Sequence, residues 1–117
     1  MKTKNTIKLT DDMIPAFAIH PGEHIKDEIE ARELNQKDFA RQMGVPIDTL
    51  NQLFKGKKDI TPELAQDLEN ALGIKAEFWL NLQMDFEIDT IRIKHRDMLN
   101  KTKILNKKRY EIKEAVV

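Results

Sequence analysis

The sequence predicts an all-α fold, five helices built around a helix-turn-helix, with an N-terminal arm and a basic C-terminal extension. Three observations predict it. Apolar residues recur at three- and four-residue spacing in successive short stretches, with no convincing strand between them. Helix start signals at Pro21, Asn35 and Thr61 alternate with stop signals at Gly44 and Gly73. The 22 residues from Asn35 to Gly56, NQKDFARQMGVPIDTLNQLFKG, divide into two short helices broken by a three-residue turn.

Residues 1–19 have mixed polarity, no clear period and Pro15 near their end, and are expected to form an arm with little regular structure. Ile14, Phe17 and Ile19 are its apolar residues, expected to pack back on the body. The first helix begins at His20-Pro21-Gly22-Glu23. Pro21 suits the first helical position and Glu23 favours the dipole, while Ile25, Ile29 and Leu34 form the buried stripe. Asn35 caps the second helix, whose inward face is Phe39, Ala40 and Met43. Gly44 stops it, since glycine accepts the left-handed backbone of the turn, and Val45 plugs the corner. The third helix turns Leu50, Leu53 and Phe54 inward and leaves Ile47, Asp48, Thr49, Asn51, Gln52 and Lys55 outside or at its exposed start. A glycine-centred basic loop, Lys55 to Asp59, leads to Thr61-Pro62-Glu63 and a fourth helix with Leu64, Leu68 and Leu72 at four-residue spacing. The fifth helix starts near Ala76 and carries Phe78, Trp79, Leu82 and Phe86, with Ile88 and Ile91 prolonging it; beyond Arg96 the periodic signal fades.

At 117 residues, 40% of them hydrophobic, the chain has room for one modest core, and a second enzyme-sized domain is excluded. Without cysteine there is no disulfide framework, thiolate zinc site or cysteine nucleophile. The longest apolar run, Met13 to Ile19, is too short for a membrane span and lacks a signal-peptide pattern, so a soluble cytoplasmic protein is expected. Net charge is zero but unevenly laid out. From Glu63 to Asp89 seven carboxylates face one lysine, whereas from Arg92 to Val117 nine basic residues face three acidic ones. An acidic body and a basic tail suit partners of opposite sign, although solvated faces give the same pattern.

His20-Pro21-Gly22-Glu23, the Asn35–Gly56 unit, Gly56-Lys57-Lys58, Ile60-Thr61-Pro62-Glu63 and Glu77-Phe78-Trp79-Leu80-Asn81-Leu82-Gln83 together resemble the HigA family of antitoxins, within the wider Xre, or lambda-repressor-like, helix-turn-helix group. The resemblance runs from His20 to about Phe86. It implies a lambda-repressor-like DNA-binding and dimerisation domain over residues 20–93, between an arm (1–19) and a basic tail (94–117). It further implies a cytoplasmic homodimer that represses its own operon and neutralises a small ribosome-dependent mRNA-cleaving toxin. Three helix ends depart from the family pattern: Glu33 stands where glycine is usual, Pro46 where a serine cap is usual, and Lys75 where Ser or Thr is usual. A lost cap costs about 1 kcal/mol, which a domain stable by roughly 5–15 kcal/mol tolerates.

The same resemblance assigns base reading to Gln36, Ile47, Asp48, Thr49, Asn51 and Gln52. The chemistry agrees: Asn and Gln bond adenine on two atoms, Thr and Ile touch a thymine methyl, and Asp accepts from cytosine N4. Lys37, Arg41, Lys55, Lys57 and Lys58 flank that face as phosphate partners. Trp79, Leu82 and Phe86 are the candidate dimer interface. Asp85, Glu87 and Asp89 are the candidate toxin surface, because an RNA-cleaving toxin is expected to be basic, and Asp67 and Glu69 are expected to be exposed with them. His20 and His24 invite a metal reading, but Pro21 and Gly22 place His20 outside the helix and no third ligand is near, so neither metal nor cofactor is expected. No nucleophile–base arrangement supports an enzyme. Two other readings compete: a solitary Xre-type repressor without a toxin, and a protein-interaction module that has lost DNA reading, for which Pro46 and the neutral net charge are the arguments.

Overall fold

A computed structural model describes residues 14–116, with side chains as far as Ile104. Among the described residues the structure is entirely helical: α1 (Pro21–Ala31), α2 (Gln36–Met43), α3 (Ile47–Phe54), α4 (Pro62–Leu72) and α5 (Ala76–Val116). The chain divides into two compact units, residues 19–87 and the described parts of residues 1–18 and 88–117.

The first unit holds the core. Ile25 and Ile29 of α1, Phe39, Ala40 and Met43 of α2, and Leu50 and Leu53 of α3 meet Leu64, Ala65, Leu68 and Leu72 of α4. Helix α3 packs against both α1 and α2, and α2 also packs against α4. Leu34, Val45 and Phe54 lie partly buried at the edge. The periodic positions are thus where the spacing puts them, because each short helix has one apolar stripe and one way to bury it.

Trp79 corrects the expected dimer interface. Its indole is fully buried in the core, with 0% of its surface exposed, so it closes the first unit and offers nothing to a partner. Leu82 is packed against the same core and Phe86 is half-buried, its ring edge-on to His20 at 4.9 Å between centroids. An apolar stripe in sequence looks the same whether it covers its own core or another chain.

His20-Pro21-Gly22-Glu23 is a packing device. His20 Nδ1 accepts from the Gly22 amide at 2.9 Å and caps α1, with Pro21 at its start. A Cβ on Gly22 would run into the carbonyl oxygen of Leu53 and lie 2.6 Å from its carbon, so only glycine lets α1 approach the end of α3 this closely. The ring of His20 is therefore engaged by Gly22 and Phe86, and His24 is half-exposed. Among the described residues no group of three or more potential ligands is placed to hold a metal ion.

The three unusual helix ends have separate solutions. Glu33 adopts φ 56°, a left-handed conformation that glycine takes without steric cost, and the Leu34 amide closes the turn on Ile29 O at 2.9 Å. Pro46 supplies no side-chain cap to α3, leaving Asp48 in the first turn to answer the positive end of the dipole. At α5 the cap comes from elsewhere: Glu69 of α4 reaches across so that its Oε1 accepts from the Ala76 amide at 2.7 Å. Glu69, expected to be exposed, is accordingly half-buried and structural, and Asp67 is half-buried as well.

Gln83 carries a second long-range tie. Its Oε1 accepts from the buried Ile60 amide at 2.8 Å and its Nε2 donates to Glu87 at 2.9 Å. A backbone amide left without a partner in the core costs about 1–3 kcal/mol, and Gln83 removes that cost in the loop before α4.

In the second unit α5 continues to Val116, past Arg96 where the periodic signal fades. No glycine or proline follows Gly73, and the Lys, Arg, Leu, Ile and Glu that fill the segment sustain a helix on propensity. Residues 14–20 contain no helix or strand, as expected of the arm; Phe17 and Ile19 are 70% and 47% exposed, whereas Ile14 is half-buried. Residues 1–13 of the expected arm lie outside the described residues.

Candidate nucleic-acid interface

Asn35 opens the helix-turn-helix, its Oδ1 accepting from the Lys37 amide at 2.8 Å and the Asp38 amide at 3.3 Å. Gly44 ends α2 at φ 76°, and the Val45 amide returns to Ala40 O at 3.0 Å. This Schellman-type turn starts α3 within three residues and fixes its crossing with α2. Burial of Leu50 and Leu53 on one side then dictates what the other side of α3 presents.

Gln36, Ile47, Asp48 and Gln52 are exposed, and Thr49 and Asn51 are half-buried. Among them only Ile47 is apolar, yet it is 38% exposed, which suits contact with a methyl group better than a place in the core. Gln52 Nε2 donates to Asp48 Oδ2 at 3.0 Å, one turn apart. That bond holds both side chains on the open face. It uses one of the two Nε2 hydrogens, leaving the other and Oε1 for a two-point contact with adenine.

Lys37, Arg41, Lys55 and Lys57 are exposed and Lys58 is half-buried. Arg41 pairs with Asp38 at 3.4 Å, but both side chains are mostly in solvent, where such a pair is worth about 0–1 kcal/mol and yields readily to phosphate. The structure therefore brings the two expected sets onto the α2–α3 unit and the loop that follows it. Asp85 and Glu87 are exposed on α5, although Glu87 accepts from Gln83. Asp89, expected to be exposed, is half-buried, 3.9 Å from Arg92. No helix among the described residues is long and apolar enough to cross a membrane.

Residues 25–79 match the HTH_3 family of helix-turn-helix domains. YddM of Escherichia coli K12, an uncharacterized HTH-type transcriptional regulator, is 35% identical over 63 residues, which are 54% of this chain and 67% of that protein. Among solved structures, antitoxin GraA is 30% identical with a TM-score of 0.66, over 74% of this chain and 95% of that one. Pseudomonas aeruginosa antitoxin HigA, solved with the higBA promoter, is 26% identical with a TM-score of 0.63, over 70% and 90% of the two chains.

Proposed function

The chain belongs to the Xre-like, HTH_3 family of helix-turn-helix DNA-binding proteins, and from that membership we propose that it is the antitoxin of a type II toxin–antitoxin pair, repressing its own operon as a homodimer. The observation that carries the reading is the open face of α3, which presents polar, unburied residues on a scaffold shared with antitoxins, one of them solved with promoter DNA. Asn51 and Gln52 read bases, together with Gln36, Ile47, Asp48 and Thr49. Lys37, Arg41, Lys55, Lys57 and Lys58 bind phosphate.

Alanine variants separate the two roles. Asn51→Ala or Gln52→Ala is expected to cost about 1–3 kcal/mol on a duplex of the chain's own upstream region and to relax preference at particular base pairs. Lys57→Ala is expected to weaken all sequences alike and to flatten the salt slope by about one unit. Titrations on upstream and random duplexes across salt concentrations measure both. Equal loss on the two duplexes for Asn51→Ala would remove base reading from that residue.

A homodimer supplies a second recognition helix for the second half-site, which one helix-turn-helix cannot reach. With Trp79 in the core, the dimer surface falls to Leu82 and Phe86 beside the exposed Phe78 and Met84. The toxin partner is a small basic protein that cleaves mRNA, met by Asp85, Glu87 and Asp89. Neutralising these three together is expected to slow toxin association and reduce its salt sensitivity, as stopped-flow mixing would detect. Unchanged rates at every salt concentration would move the toxin surface elsewhere. The name of the E. coli relative, a transcriptional regulator, favours a second reading as a repressor without a toxin. Expression of the adjoining reading frame with and without this chain decides between them: toxicity relieved by the chain supports the antitoxin.

A further inference from the structure

The second unit contains a cleft that the reading above does not use. Its volume is about 240 Å³, and it is lined by Ile14, Leu99, Asn100 and four basic side chains, Arg92, His95, Arg96 and Lys103. Arg96 is held in place: its Nη1 donates to Pro15 O at 3.5 Å and its Nε to Asp97 at 3.4 Å, leaving its side chain only 20% exposed. Arg92 is loosely tied to Asp89 at 3.9 Å. Among the described residues no carboxylate lies within ion-pair distance of His95 or Lys103. Residues 92–104 carry five Lys and Arg against Asp97 alone.

We propose that this cleft is a second nucleic-acid contact, in which Arg92, Arg96 and Lys103 hold the phosphodiester backbone of DNA. Spacing is the reason for a polymer over a small anion. Arg92, Arg96, Asn100 and Lys103 follow one another along one side of α5, and the first and last are separated by about 16 Å of helix rise. That length matches several phosphates of one strand, spaced by about 3.4 Å along a duplex, and exceeds what one small anion spans. Ile14 and Leu99 give the cleft an apolar floor against which the sugar edge packs. Choosing DNA over an acidic protein rests on the DNA-binding reading above, because the chain already works beside that polyanion.

Arg92→Gln/Lys103→Gln tests it in the full chain, since both residues are exposed and their replacement leaves the core intact. On random-sequence duplex DNA the slope of log K against log salt is expected to fall by about 1–2 units, with preference for the upstream duplex over random DNA retained. Asn51→Ala serves as the opposite control: it lowers that preference and keeps the slope. An unchanged slope in the double variant overturns the α5 contact whatever Asn51→Ala does, and unchanged preference in Asn51→Ala overturns base reading while leaving the α5 contact standing. Inorganic phosphate is the last arm. If it shifts the His95 imidazole resonances while the double variant binds DNA with the parental slope, the cleft holds a small anion and the proposal fails.

Discussion

Gly22→Ala is expected to destabilise the first unit by about 3 kcal/mol, a large loss for a single methyl group on a small domain. The added carbon would enter the carbonyl group of Leu53, which belongs to the backbone of α3 and cannot swing aside as a side chain would. Relief requires α1 to move away from α3. That movement opens the seam between Ile25 and Leu53, both 0% exposed, and disturbs the bond from the Gly22 amide to His20 Nδ1. Urea denaturation followed by circular dichroism measures the loss. Because α3 is the proposed reading helix, DNA affinity is expected to fall alongside stability. A midpoint equal to that of the parent would show that α1 and α3 tolerate a wider separation than their packing implies.

Trp79→Ala is expected to cost about 3–5 kcal/mol, the range for removing a large aromatic side chain from a core. The indole is the largest fully buried side chain and packs edge-on to Phe78 at 5.2 Å between centroids. Trp79→Phe is expected to lose much less. Its ring refills most of the cavity, and it removes an indole Nε1 that is buried with no hydrogen-bond partner among the described residues. Parallel denaturation of the two variants checks the ordering. A dimer-interface role would give the reverse signature, a fall in self-association with little change in monomer stability.

Much of the first unit was legible along the chain because its signals are local. Asn35, Gly44, Thr61 and Gly73 act within a few residues of themselves: the Asn35 and Thr61 side-chain oxygens cap helix starts, and the Gly44 and Gly73 backbones turn left-handed to end helices. The open face of α3 was legible by subtraction, since burying Leu50 and Leu53 leaves Asp48 and Gln52 outside. Gln83 was visible only as part of a family signature. Its bond to Ile60 spans 23 residues, and no pattern of spacing announces such a partner. The Glu69 bond to Ala76 is similar: a residue counted among exposed acids performs the capping that Lys75 does not.

Local signals along the chain specify the all-α class, the number and order of the helices and the helix-turn-helix, because apolar period, cap chemistry and glycine conformation act over one or two turns of chain, while the motif resemblance pointed to the family. Which neighbour each stripe buries is set by packing between distant segments. Trp79 has the spacing of an interface and the surroundings of a core; Gly22 resembles any helix-start glycine until the Leu53 carbonyl is seen beside it. The cleft of Ile14, Arg92 and Lys103 joins residues far apart in the chain. Period records that a face must be covered. What covers it depends on contacts between distant segments, and those exist only once the chain is folded.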